Sequence, residues 1–234
     1  MRQFPERDGI HLPLDPWEAY AKGAAKDIAI LQGCNKDEMN FFVHSFGEDV
    51  FKVWAADRKA RGLAKLTAEE KKRIESFMDE IKGEAYERDS RLFSQSWFNA
   101  PLIRMSENQT LAGGKSYTYY FTPESSLPIV KSGHSIELAS VFNHPEMTAD
   151  TGRTLDQTFA KTMRKMWVQF AKTGNPSLSA DLSPDGRAKV WPLYDLKQKQ
   201  VMVFDENNIH PEREASRKIV DWDRTYFLTK YYVF

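Results

Sequence analysis

Asp27-Ile-Ala-Ile-Leu31, closed by Gly33, and Ser116-Tyr-Thr-Tyr-Tyr-Phe121, opened by Gly113-Gly114, decide the fold. The first is a short apolar run bounded by glycine, which suits a strand buried on both faces of a parallel sheet. Its length alone does not separate a strand from a piece of buried helix. The second is rich in aromatic and β-branched residues and reads as a strand. Helical patterns lie between and beyond them. Val50, Phe51 and Trp54 recur at helical spacing between Phe46 and Arg61. Thr67-Ala-Glu-Glu70 reads as a capping box, with Ile74, Phe77, Met78, Ile81 and Ala85 forming one stripe after it. A less regular helical stretch runs from Leu92 to Met105. From Thr154 to Lys172, Leu155, Phe159, Met163, Met166, Trp167 and Phe170 share a face, and Gly174 and Pro176 stop the helix. Val201-Met-Val-Phe204 reads as a further short strand, and Ile219, Trp222, Tyr226 and Phe227 as one face of a closing helix. Pro5, Pro13 and Pro16 mark an extended opening. Alternating strands and helices predict an α/β protein, with about three strands near residues 27–32, 116–121 and 200–204. With no repeat and no linker, 1–234 reads as one domain.

Composition narrows the class. Of 234 residues, 41% are hydrophobic and 28% charged, a globular balance that excludes disorder. Lys plus Arg and Asp plus Glu both number 33, so no global field favours nucleic acid or an acidic membrane surface. No apolar run approaches the roughly 20 residues of a membrane span. The single cysteine, Cys34, excludes an intrachain disulfide and a cysteine-based zinc site. With no signal-peptide pattern in MRQFPERDGIHLPLDP, a cytoplasmic location is expected.

Two segments concentrate chemistry: Gly33-Cys-Asn-Lys-Asp-Glu38 after the first strand, and Ser132-Gly-His-Ser-Ile-Glu137 in the loop after the second. Catalytic groups of open α/β sheets gather beyond the carboxyl ends of strands. A carboxylate on one loop and a histidine on the other could meet there, the acid fixing the tautomer of the base. The bland alternative is a turn acid and a surface histidine. His134 and Glu137 sit at a spacing open to a metal, but lack the second histidine and third ligand of a zinc motif, so no metal or cofactor is expected. His11, His44, His144 and His210 have no partner pattern. Cys34 lies beside Asp37 and Glu38, whose charge opposes a thiolate, so it reads as a small buried filler. The 234 residues contain no G-x-S-x-G, no His-Gly-Gly run and no glycine-rich phosphate loop.

Taken together, these residues resemble the C-terminal half of a type-B carboxylesterase, the family of cholinesterases and bacterial para-nitrobenzyl esterases. The resemblance rests on five collinear stretches: Phe4-Pro-Glu-Arg-Asp-Gly9 through Leu12-Pro-Leu-Asp-Pro16, Ile30 to Glu38, Ser116 to Phe121, Gly133 to Phe142, and Trp167-Val-Gln-Phe-Ala-Lys-Thr-Gly-Asn-Pro176 with Trp191-Pro-Leu-Tyr194. It implies the C-terminal portion of an α/β-hydrolase, with a helical layer at about 47–105 beside the active-site mouth. It implies Glu38 as the triad acid and His134 as the triad base, in the order acid before histidine. Ser135 and Met39 stand where the family often has glycine.

The family carries its nucleophilic serine in an N-terminal half that these residues do not match. The expected function is therefore part of a serine carboxylic-ester hydrolase, a small-molecule ester being its substrate once a serine-bearing chain completes it. The isolated chain is expected to be inactive. An exposed apolar sheet edge predicts self-association or a complex with an N-terminal esterase half, with no nucleic acid or membrane partner. The alternatives are a non-catalytic cholinesterase-like binding module and the product of a truncated or split open reading frame.

Overall fold

A computed structural model describes residues 8–11, 15–144, 148–213 and 216–230. The extended opening expected at Pro5 and Pro13 lies outside these residues. Pro16 does not continue it: it starts helix α1 (Pro16–Ala21), where its missing N–H costs nothing and Asp15 caps the Trp17 N–H at 2.9 Å. Strand β1 (Ile30–Asn35) follows, later than the 27–32 expected from the apolar run. Ile28 is exposed and precedes the ladder, which instead continues through Gln32 to Asn35. Gly33 permits this: a Cβ there would lie 2.1 Å from the Tyr119 ring, which rests on its backbone.

Helices α2 (Asn40–Phe46), α3 (Glu48–Leu63), α4 (Ala68–Asp79), α5 (Ala85–Ser94) and α6 (Ala100–Leu111) form the crossover to the next strand. The capping box stands: the Glu70 N–H donates to Thr67 Oγ1 at 3.2 Å, and the Thr67 N–H to Glu70 Oε2 at 2.9 Å. The stripe drawn through Ala85 is split, however. The chain breaks after Asp79, Gly83 takes a φ of 126°, and the Glu84 N–H finds a new acceptor in Glu87 Oε2. Between α5 and α6, Gln95–Asn99 winds as one π-helical segment. It turns Gln95 and Asn99 toward one buried peptide. Gln95 Nε2 and Asn99 Nδ2 both donate to the Ile219 carbonyl, at 2.6 and 3.0 Å, and Gln95 Oε1 accepts from the Asp221 N–H.

Strand β2 (Ser116–Phe121) falls where the sequence puts it. Short helices α7 (Leu138–Phe142) and α8 (Thr148–Thr151) lead to α9 (Gln157–Thr173), capped by Asp156 and ended by Gly174 at φ 70°. Strand β3 (Val201–Asp205) is followed by β4 (Asn208–Glu212), a hairpin partner the polar sequence hides. The expected closing helix is broken into α10 (Ser216–Ile219) and a 3₁₀ turn at Tyr226–Lys230. Between them the Asp221 carboxylate accepts from the Arg224 N–H and guanidinium, which closes a turn instead of a helix.

Among the described residues the sheet has the order β1-β2-β3-β4, with β4 antiparallel, so it is an α/β sheet of four strands where three were expected. Alternation sorts its two faces. Tyr117, Phe121, Met202 and Phe204 pack on Phe159, Met163 and Met166 of α9 and on Trp191. Cys34, Tyr120, Val201 and Val203 pack on Ala100, Leu102 and Ile103 of α6 and on Ile219. Helices α3 to α5 build two further clusters, around Phe77 and Leu92 and around Phe51 and Phe93. They are the helical layer expected from the resemblance, and α5 reaches the loop after β1, where Arg91 Nη1 donates to the Lys36 carbonyl at 3.2 Å.

Candidate active site

The parallel pairing of β1 and β2 brings their two C-terminal loops together. The Lys36 N–H donates to the Phe121 carbonyl at 2.9 Å, the Asp37 N–H to the Ser132 carbonyl at 2.8 Å, and the His134 N–H to the Glu38 carbonyl at 3.0 Å. This main-chain zipper joins residues 85 to 96 positions apart and ends on the two candidate residues. Glu38 is buried, with 4% of its surface exposed. Its Oε1 accepts the Asn35 N–H at 2.6 Å, and its Oε2 lies 2.7 Å from His134 Nδ1. A carboxylate only accepts, so the proton of the neutral ring sits on Nδ1 and the lone pair on Nε2. Among the described residues Nε2 has no hydrogen-bond partner, and the His134 side chain keeps 39% of its surface exposed. The ring lies between two aromatic side chains, Phe42 at 5.3 Å and Phe98 at 5.1 Å between centroids.

The hydrogen bond that Nδ1 donates to Glu38 raises the His134 pKa above its ordinary 6.5, against the opposing effect of burial, and the charges of Glu38 and Glu137 add to the rise. A folded value above the unfolded one means that the pair stabilises the fold fully below pH 6.5, and that the contribution fades as pH rises through the folded value. The difference in urea stability between the wild-type chain and His134→Gln is therefore expected to be larger at pH 6 than at pH 9. A gap independent of pH would remove the ion pair from the account. Exposure of the ring leaves the size of the gap small.

Ser135 adopts a φ of 68° in this turn. That is the left-handed region which favours glycine, the residue the resemblance puts here. A non-glycine residue pays about 1–2 kcal/mol for it, while glycine's looser unfolded chain costs about 0.4–1 kcal/mol. The first is larger, so Ser135→Gly is expected to stabilise by about 0.5–1 kcal/mol in chemical denaturation. A destabilised variant would show that the serine hydroxyl matters more than the strain.

Other sequence candidates resolve differently. Burial pushes the Cys34 thiol up, with Glu38 adding to it, and the side chain sits in the β1–α6 interface as the filler expected. Glu137 turns from solvent to Asn35 and Tyr119. No group of three or more His, Cys, Asp or Glu among the described residues could hold a metal ion. His11 pairs with Asp8 at 2.7 Å, and His210 Nδ1 lies 3.0 Å from the Asn208 carbonyl. A cavity of about 830 Å³ is lined by Lys36, Asp37, Arg91 and Lys131 but not by Glu38 or His134. The parts missed from sequence are Asn35, Phe42 and Phe98. Asn35 lies within a motif already noted, but nothing in the sequence shows that its side chain reaches across to the histidine loop.

A family model described as the Carboxylesterase family matches residues 1–220. Para-nitrobenzyl esterase of Bacillus subtilis is 26% identical over 225 residues, which cover 92% of this chain and 42% of that protein. Bile salt-activated lipase of Bos taurus is 24% identical over 244 residues, covering 95% of this chain and 40% of its own length. Among solved structures, a Geobacillus stearothermophilus carboxylesterase superposes with a TM-score of 0.68 at 25% identity, covering 92% of this chain and 45% of its own. A PNB esterase superposes with a TM-score of 0.71 at 22% identity, covering 92% and 43%. The chain thus spans 40–45% of the length of these relatives. Among the described residues, no helix is long and apolar enough to cross a membrane.

Proposed function

This chain belongs to the carboxylesterase family, and we propose that it supplies the acid and the histidine of a serine ester hydrolase whose nucleophile lies outside these 234 residues. The observation that carries the reading is the 2.7 Å contact between Glu38 Oε2 and His134 Nδ1, which leaves Nε2 without a partner among the described residues on a side chain that is partly exposed. In the first half-reaction, the serine oxygen attacks the ester carbonyl and its proton passes to His134 Nε2. The imidazolium, held against Glu38, then gives that proton to the departing alcohol, leaving the acyl group on serine. Water attacks the acyl-serine in the second half, again losing a proton to Nε2, and the acid leaves as the serine recovers its proton. Since only the neutral ring accepts a proton, the raised His134 pKa leads us to expect an acid limb of the rate profile with its midpoint above that of an ordinary histidine. The small-molecule ester, the dependence on a serine-bearing chain and a cytoplasmic setting belong to the same proposal.

The test uses a fluorophosphonate probe and a chromogenic short-chain ester. The 234-residue chain alone is expected to give neither labelling nor a burst. Adding a chain that carries the family's serine-bearing half restores both, with the label on the added chain. Labelling of this chain by itself would overturn the proposal, because it would reveal a nucleophile among these residues. Failure of an intact, folded serine-bearing half to restore turnover would favour a binding module.

A further inference from the structure

Asn35 takes no part in the proton transfers described above, yet it makes three hydrogen bonds within the site, one to the acid and two to the histidine loop. It is the last residue of β1 and 1% exposed. Its main-chain N–H holds Glu38 Oε1. Its side-chain Nδ2 donates twice into the other loop, to the Gly133 carbonyl at 2.7 Å and to Glu137 Oε2 at 2.6 Å. Both partners can only accept, so the amide can sit only one way round, with nitrogen facing them. In that orientation Oδ1 is buried with no partner among the described residues. An orphaned acceptor costs stability, and the two donations on the opposite side are what hold the amide in that state. Glu137 lies close enough to the buried Tyr119 hydroxyl for its charge to push that phenol up, and the Tyr119 ring in turn rests on Gly33. Gly133 and Glu137 bracket His134 in sequence, so one amide grips the histidine loop on both sides while its own backbone grips the acid.

We propose that Asn35 is the positioning residue of the Glu38–His134 pair, locking the histidine loop onto the acid loop through Gly133 and Glu137. It touches neither substrate nor the reacting atoms and acts through the two residues it aligns. The charged groups that face the imidazole are Glu38 from the acid loop and Glu137 from its own. Phe42 and Phe98 cover the ring from α2 and the π-helical segment without charge. The inference gives a positioning role within the proposed esterase site, but its test needs no ester and no second chain.

The measurement is NMR of the ¹⁵N-labelled 234-residue chain, following the low-field His134 Nδ1 proton and the titration of His134. In the unmodified chain the Nδ1 proton should be visible and the two Asn35 Nδ2 protons slow to exchange. Rapid exchange of those protons overturns the clamp without any variant. Asn35→Leu fills a similar volume but cannot donate. Asn35→Asp is isosteric and at neutral pH sets a carboxylate against the Glu137 carboxylate and the Gly133 carbonyl. Both should lose the Nδ1 signal, and in Asn35→Leu, which adds no charge, His134 should also titrate closer to the ordinary histidine value. If the leucine variant does not fold, the aspartate variant decides. Glu137→Gln still accepts from Asn35 through its amide oxygen and should keep the signal. An unchanged Nδ1 proton and titration in a folded Asn35 variant would overturn the proposal. So would loss of the signal in Glu137→Gln as complete as in Asn35→Leu, which would assign the effect to the charge of Glu137. Failure of the catalytic reading would show separately, as an active serine-bearing assembly lacking His134.

Discussion

His134→Ala, introduced into the assembly completed by a serine-bearing chain, is expected to lower kcat by about 10⁶-fold, to the residual rate supported by binding and oxyanion donors alone. The size follows from the ring's two tasks. In the mechanism proposed above, with Nδ1 tied to Glu38, Nε2 removes the serine proton and the same atom protonates the leaving alcohol. Without it, the serine must lose a tightly held proton to water, and the alkoxide must leave unprotonated. Glu38→Gln should cost about 10⁴-fold, because an amide can hold the ring in the wrong tautomer. The double variant should be hardly worse than His134→Ala, since the acid acts only through the base. Turnover of His134→Ala within tenfold of wild type would end the assignment of this residue as the base.

Phe204→Ala is expected to lose about 3–5 kcal/mol of stability. Phe204 is completely buried near the end of β3 and meets four rings at steep angles: Trp191 at 5.4 Å, Trp167 at 5.5 Å, Tyr119 at 6.0 Å and Phe159 at 6.3 Å. Rigid aromatics cannot collapse into the space a deleted ring leaves, so the cavity persists and edge-to-face contacts go with it. A chain of this size should melt roughly 6–20 °C lower. A loss under about 1 kcal/mol would mean that this cluster repacks freely, contrary to its geometry.

The parts of the molecule that sequence discloses are those with a local cause. Thr67 and Glu70 cap a helix through contacts three residues apart, and Gly174 ends one with a conformation of its own. Strand β2 is legible because its aromatics serve both faces of the sheet. Strand β4 is not, since Asn208-Ile-His-Pro-Glu212 has little apolar character and exists through its ladder with β3. β1 is misplaced by the apolar run because what continues it is the Tyr119 ring on Gly33, a contact 86 positions away. The split of the closing helix depends on Asp221 and Arg224 forming a turn, where apolar spacing suggested continuity. At the site, Glu38 and His134 are readable as residue types after strands and through the family resemblance. The hydrogen bonds from Asn35 and the rings over His134 depend on tertiary placement and leave no periodic trace.

The π-helical segment has a consequence for nonsense mutations. Because Gln95 and Asn99 both spend a buried amide on the Ile219 carbonyl, a stop codon a few residues upstream of Ile219 removes more than a surface tail. Two interior amide groups would be left without an acceptor, at about 1–3 kcal/mol each. Ile219, Val220, Phe227 and Leu228 would vanish from the cores around Ile103 and Phe77. The sum rivals the 5–15 kcal/mol that holds a typical domain together. Messages truncated there should yield polypeptide that proteases clear, and their phenotype should be that of low abundance, although Glu38 and His134 are both still encoded.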